Sequence, residues 1–139
     1  MTSQNRNPGD REAAVNVLFE RMSARDFDGV VELLDPDVEF DLGYAPTFME
    51  FPVRGRAAMH TLLTTVIGAM FNPFRLEVTT TYPGNDDATL VAEYRSEGVV
   101  THNGRPYANT YVGIFRVGDN GITFWREYHN PELATAALT

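Results

Sequence analysis

Apolar positions recur with two different periods along this chain, and the change of period divides it. From Asp10 to Arg25, Ala14, Val17, Leu18 and Met22 fall at helical spacing, with Asp10 placed as a cap. A second, short helix is predicted after Asp26. Phe27, Val30, Val31 and Leu34 share one face, and Asp35-Pro36 stops it, because a residue before proline is pushed out of the helical region. Residues 38–44 then alternate, Val38, Phe40, Leu42 and Tyr44 against Glu39, Asp41 and Gly43, as a strand with one buried face does. Beyond a loop holding Pro46 and Pro52, Met59, Leu62, Leu63, Val66, Ile67 and Met70 trace the strongest amphipathic helix, ending near Asn72-Pro73.

The remainder reads as an antiparallel meander. Strands are predicted over 74–82, 88–101, 106–117 and 122–129, separated by Pro83–Asp86, by the hairpin dipeptide Asn103-Gly104 and by Gly118–Gly121. Asn130-Pro131-Glu132 opens a last helical turn. Three helices with one strand among them, followed by four long strands, predict an α+β fold. The helices pack in the concave face of a strongly curved antiparallel or mixed sheet, leaving room for a pocket. The 139 residues suit one domain, read as a disordered tail over 1–9 and a single unit over 10–139.

Composition narrows the chemistry. No apolar run approaches the roughly 20 residues of a membrane span, and the polar start lacks the order of a signal peptide, so a cytoplasmic protein is expected. A net charge of −8 opposes the basic footprint of a nucleic-acid binder. The chain has no Cys and no Lys, which removes thiolate, Cys-zinc, Schiff-base and covalent pyridoxal chemistry. The serines, Ser3, Ser23 and Ser96, stand in no nucleophile-elbow context. No His/Asp/Glu spacing reads as a metal signature, and neither a metal nor a cofactor is expected. Carboxylates, Tyr, Arg, water and three histidines (His60, His102, His129) remain, with His102 in an exposed hairpin turn.

The order of elements, Val53-Arg54-Gly55 before the long helix, "YANTYVGIFRV" at 107–117, the glycine turn and the closing "WREYHNP" resemble the SnoaL-like branch of the nuclear transport factor 2 superfamily. The resemblance covers roughly residues 10–133 and implies a cone-shaped, cystatin-like α+β barrel with a deep pocket. It says little about function, because the superfamily holds ketosteroid isomerases, polyketide cyclases, epoxide hydrolases, dehydratases, phenazine-biosynthesis proteins and non-catalytic binders. In ketosteroid isomerases a general-base Asp follows the Val of the first strand by two positions. Phe40 stands there, and Asp41, one residue later, points to the other face. The closing "REYHNP" is similar to the "REF-x-NP" of the PhzA/PhzB phenazine proteins, which puts Glu127 in the position of their pocket acid. Their helix histidine has a counterpart in His60, displaced by two residues, or about 200° around a helix.

Strand parity separates Ile122, Phe124, Arg126 and Tyr128 from Thr123, Trp125, Glu127 and His129. The resemblance turns the second set toward the cavity. Trp125 would then be an apolar wall, Glu127 a desolvated acid/base, and His129 a second titrating group near the mouth. The competing reading makes Glu127 a surface residue paired with an Arg. Tyr111 and Asn109 are candidate hydrogen-bond donors to a substrate oxygen, against a packed Tyr and an Asn tied to backbone. Glu93 is a second candidate carboxylate, and His60 is either catalytic or a packing histidine. Phe40, Tyr44, Met59 and Leu63 complete the expected walls.

Two functions fit. One is an acid–base enzyme of isomerase, cyclase, dehydratase or condensation type acting on a small apolar cyclic or carbonyl metabolite. The other is a non-catalytic ligand-binding or dimerisation module of the same fold. In either case the apolar outer face of the last strands leads to the expectation of a homodimer through the sheet.

Overall fold

The computed structural model describes residues 8–139, and most of the expected 1–9 tail lies outside the described residues. Helix α1 runs Pro8–Ser23 and α2 Phe27–Glu32, the latter capped by Asp26, whose carboxylate accepts from the Gly29 amide at 2.9 Å. Strand β1 is Leu34–Leu42 and the short β2 is Val53–Arg54. Helix α3, Arg56–Leu62, continues into a π-helical turn at Leu63–Gly68. Four long strands follow: β3 Phe71–Pro83, β4 Thr89–Val100, β5 Pro106–Gly118 and β6 Gly121–His129. Asn130 caps a closing helix α4, Pro131–Leu138, through its side-chain oxygen and the Glu132 amide.

The six strands form one sheet in the order β2-β1-β6-β5-β4-β3, which does not close. Strand β1 lies parallel to β6, and every other pair is antiparallel. The α+β class and the helices laid against one face of a mixed sheet are as the periodicity predicts. The second helix stops earlier than its Asp35-Pro36 signal, and both residues sit in β1. That proline is tolerated because the β1–β6 pairing is irregular between Leu34 and Glu39.

The main core joins α1 (Val15, Leu18, Phe19, Met22) to α3 (Met59) and to inner-face residues Phe40, Tyr94, Phe115 and Trp125. A smaller cluster, Phe71, Phe74, Val100, Tyr107 and Ala137, seats α4 against the far end of the sheet. Arg11, 3% exposed, ties α1 to the β3–β4 turn by donating to the carbonyls of Asp86 and Thr89 at 2.8 and 2.7 Å. No helix among the described residues is long and apolar enough to cross a membrane.

Parity fails at one point of β6. Arg116 pairs with Phe124 but Val117 pairs with Ile122, so Thr123 is an extra residue, a bulge. Ile122 is thereby turned into the core, fully buried, instead of sharing the outer face with Phe124 and Tyr128.

Candidate functional site

Glu127 lies on β6 between Leu42 of β1 and Gly113 of β5. Gly113 shapes what happens next to it. A Cβ there would lie 2.8 Å from the Tyr94 hydroxyl and 2.7 Å from the Phe115 ring, so its absence makes the gap through which Tyr94 reaches β6. The Tyr94 hydroxyl donates to Glu127 Oε1 at 2.5 Å, and the Trp125 indole N–H donates to the Tyr94 oxygen at 3.3 Å. Indole nitrogen is a donor and never an acceptor, so Trp125 occupies the oxygen's lone pair and the Tyr94 proton is left for the carboxylate.

Glu127 takes part in none of the ion pairs formed among the described residues. Burial pushes its pKa up from 4.5 to about 7, the Tyr94 hydrogen bond pulling the other way. The enclosure is uneven. Oε1 is held by Tyr94, whereas Oε2 makes no hydrogen bond among the described residues and is absent from the buried polar atoms left without one, which leaves it access to solvent. Residue 127 as a whole is accordingly half-buried.

A second hydrogen-bonded chain runs beside it. The Tyr111 and Ser96 hydroxyls are 2.7 Å apart, and those of Tyr111 and Tyr107 are 3.3 Å apart. The Tyr111 ring stacks on Tyr94 with centroids 5.1 Å apart. Burial raises the pKa values of Tyr94, Tyr107 and Tyr111 above the ordinary phenol value, so all three remain neutral donors at physiological pH. His129 stacks on Tyr111 at 6.3 Å, its Nδ1 is buried without a hydrogen-bond partner among the described residues, and burial lowers its pKa, favouring neutral imidazole.

Tyr111, Trp125, Glu127 and His129 gather on the inner face, where Phe40 lies 4.8 Å from the Trp125 ring. Met59 and Leu63 are buried in the same core. Four positions are corrected. Glu93 is exposed on the outer face, within 3.3 Å of the Tyr82 hydroxyl, because it alternates with inward Tyr94. His60 sits on the outer side of α3, 2.8 Å from Asp28 of α2 and 43% exposed at its side chain. Tyr44 is 58% exposed and packs against Tyr128, since β1 has ended at Leu42. Asn109 is buried, but its amide donates to Tyr107 and to the Asn130 carbonyl, leaving no proton for a substrate.

The residues missed are Tyr94, Ser96 and Gly113. The alternation of Tyr94 and Ser96 with Glu93, Arg95 and Glu97 could have revealed the first two. A glycine amid large residues in "YVGIF" marks a place where something approaches closely.

Much of the cone beside Glu127 is filled by its own aromatics. Phe19, Phe115 and Phe40 surround Trp125 with centroids 4.8–6.0 Å away. The larger open cavity, about 840 Å³, lies elsewhere, between the end of α1 and β3–β4, and touches the polar chain at Ser96. Another, about 390 Å³, follows Thr79, Glu93, Val112 and Tyr128, and Glu127 lines neither. No cluster of three or more His, Asp or Glu side chains suited to a metal forms among the described residues.

Comparison with known proteins places this architecture. A family model described as a SnoaL-like domain matches residues 15–125. The uncharacterized protein YesE of Bacillus subtilis (strain 168) is 27% identical over 117 residues, 84% of this chain and 79% of that protein. A candidate isomerase from Bacillus subtilis superposes with a TM-score of 0.81 at 24% identity, covering 91% of each chain. A phenazine biosynthesis-related protein from Pseudomonas aeruginosa superposes with a TM-score of 0.70 at 18% identity, over 91% of this chain and 90% of that one. At these identities the superpositions establish the NTF2-like fold, and the model match, spanning most of the chain, establishes more: this protein belongs to the SnoaL-like domain family.

Proposed function

We propose that this protein is a cofactor-independent acid–base catalyst acting on a small, largely apolar metabolite with a ring or carbonyl group. The observation that carries this reading is Glu127. It is a carboxyl group without a cationic partner among the described residues, anchored through one oxygen by Tyr94 and open at the other, with a pKa raised to about 7 by burial. A group that titrates near neutral pH can both take and return a proton. Oε2 would remove a proton next to a substrate carbonyl and deliver it elsewhere, the step shared by isomerisation, cyclisation, dehydration and condensation. Tyr111 and His129, stacked beside it, would line the approach, and Trp125 and Phe40 would supply the apolar wall.

The test is a melting-shift screen of apolar cyclic and carbonyl metabolites, followed by turnover of each hit by wild type and Glu127→Gln. General acid–base catalysis contributes about 10²–10⁴-fold, so the variant should bind the hit and lose turnover by that factor. Equal turnover in both proteins refutes the role.

The aromatic filling around Trp125 favours a second reading, a ligand-binding module without chemistry. Tight binding of a hit that neither protein converts would support it. We further propose that two copies associate through the outer sheet face, where Tyr44, Tyr82 and Val112 are exposed and Tyr128 is half-buried. Light scattering of the purified chain at micromolar concentration tests this, with a monomer mass as the opposing result.

A further inference from the structure

Tyr94 is 1% exposed and wedged between rings, with Phe19 at 4.4 Å and Tyr111 at 5.1 Å. For packing alone a phenylalanine would serve. The hydroxyl instead emerges through the gap at Gly113 and is fixed from both sides, receiving the Trp125 N–H and donating to Glu127 Oε1. Rotation about the Glu127 side chain would break that bond, so the same contact decides which carboxylate oxygen is tied and which is open.

We propose that Tyr94 is a positioning residue: aimed by the Trp125 indole and admitted by Gly113, it holds Glu127 so that Oε2 faces the substrate, and its hydroxyl determines how readily that carboxyl gives up its proton. The inference rests on the reading of Glu127 as the acid/base and supplies the device that regulates it. A donor to a carboxylate stabilises the ionised form, and it does so more strongly where the surroundings are poor in water. The competing influence on Glu127 is burial, which raises its pKa against the Tyr94 hydrogen bond. Tyr94 on β4 and Tyr107 and Tyr111 on β5 all feel its charge, and His129 follows two residues later on its own strand. From α1 the packing against Tyr94 is the apolar ring of Phe19. The tyrosines remain neutral, and among the described residues Tyr94 is the one group that donates to the Glu127 carboxylate.

The test is a direct titration of the Glu127 side-chain carboxyl by carbon NMR in the full chain, comparing wild type, Tyr94→Phe and Trp125→Phe. Tyr94→Phe keeps the ring and its stacking and removes the donor. The Glu127 midpoint should move up by about 1 pH unit or more, the worth of a hydrogen bond to a charged group. Trp125→Phe, which frees Tyr94 to rotate, should move it up by less. A midpoint that is unchanged or lower in a folded Tyr94→Phe protein overturns the proposal. Should that variant fail to fold, an unchanged midpoint in Trp125→Phe overturns it equally. The titration reads no turnover. Equal turnover in wild type and Glu127→Gln would therefore sink the catalytic reading while leaving the Tyr94–Glu127 coupling intact.

Discussion

Asp41 on β1 and Glu127 on β6 lie on neighbouring strands, one register step apart, and are neutralised in opposite ways. Asp41 pairs across the sheet with Arg126, Leu42 with Glu127. Asp41 faces outward, where the Arg126 guanidinium sits 3.1 Å from it and lies over the Phe124 ring at 5.0 Å. Glu127 faces inward, with a phenol for company and no cation among the described residues. On the outer face water and an arginine share the charge. Inside, the cheaper solution is a proton on the carboxyl itself, and a retained proton is what acid–base chemistry requires.

That contrast is broken most severely by Glu127→Gln. Besides the loss of turnover set out above, the variant should change how stability depends on pH. The folded-state pKa of Glu127, about 7, lies above the ordinary 4.5, so the fold favours the protonated form. Its contribution is complete below pH 4.5 and is lost as pH rises through 7. The gap is worth about 3 kcal/mol. Denaturant unfolding should therefore find Glu127→Gln about as stable as wild type near pH 4 and up to about 3 kcal/mol more stable at pH 8. Parallel curves for the two proteins would mean that Glu127 is not desolvated. His129 acts from the other side: its lowered pKa favours the neutral ring, so its contribution is present above pH 6.5 and is lost as pH falls below it.

Gly113→Ala should come next, costing about 1–3 kcal/mol as the new methyl overpacks the gap. It drives the Tyr94 hydroxyl away from Glu127 and leaves the outer face as it was. A variant of unchanged stability would show that the gap is not filled as described. The smallest effect belongs to the outer pair. Asp41→Asn should cost about 1 kcal/mol or less, because both partners are partly exposed and screened. A loss comparable to that of Gly113→Ala would erase the distinction between the two faces.

Local pattern was enough to recognise a good deal of this. Helical and alternating periodicity located the three helices, β1 and the four long strands to within a few residues. It also put Trp125, Glu127 and His129 on a common face, because successive side chains of a strand must point to opposite sides. It missed the short β2, and it saw only the first turn of α4, which is held by contacts to Phe71, Phe74 and Tyr107 far away in sequence. Its place beside an apolar stripe leaves His60 either a catalytic or a packing histidine. Its true neighbour, Asp28, is 32 residues distant and could not be foreseen from α3 alone.

Sequence by itself determined which residue types were available and which neighbours shared a face, since both depend on chain chemistry and on the fixed geometry of one element. Tertiary structure decided the rest. The parallel register of β1 on β6 gave Arg126 its partner in Asp41. The bulge at Thr123 moved Ile122 into the core. The gap at Gly113 let Tyr94, 33 residues before Glu127, reach it. Register, bulge and gap are set by pairing between distant segments. The acidity of Glu127 depends on what those segments exclude, namely water and any counter-charge, and no local run of residues contains that information.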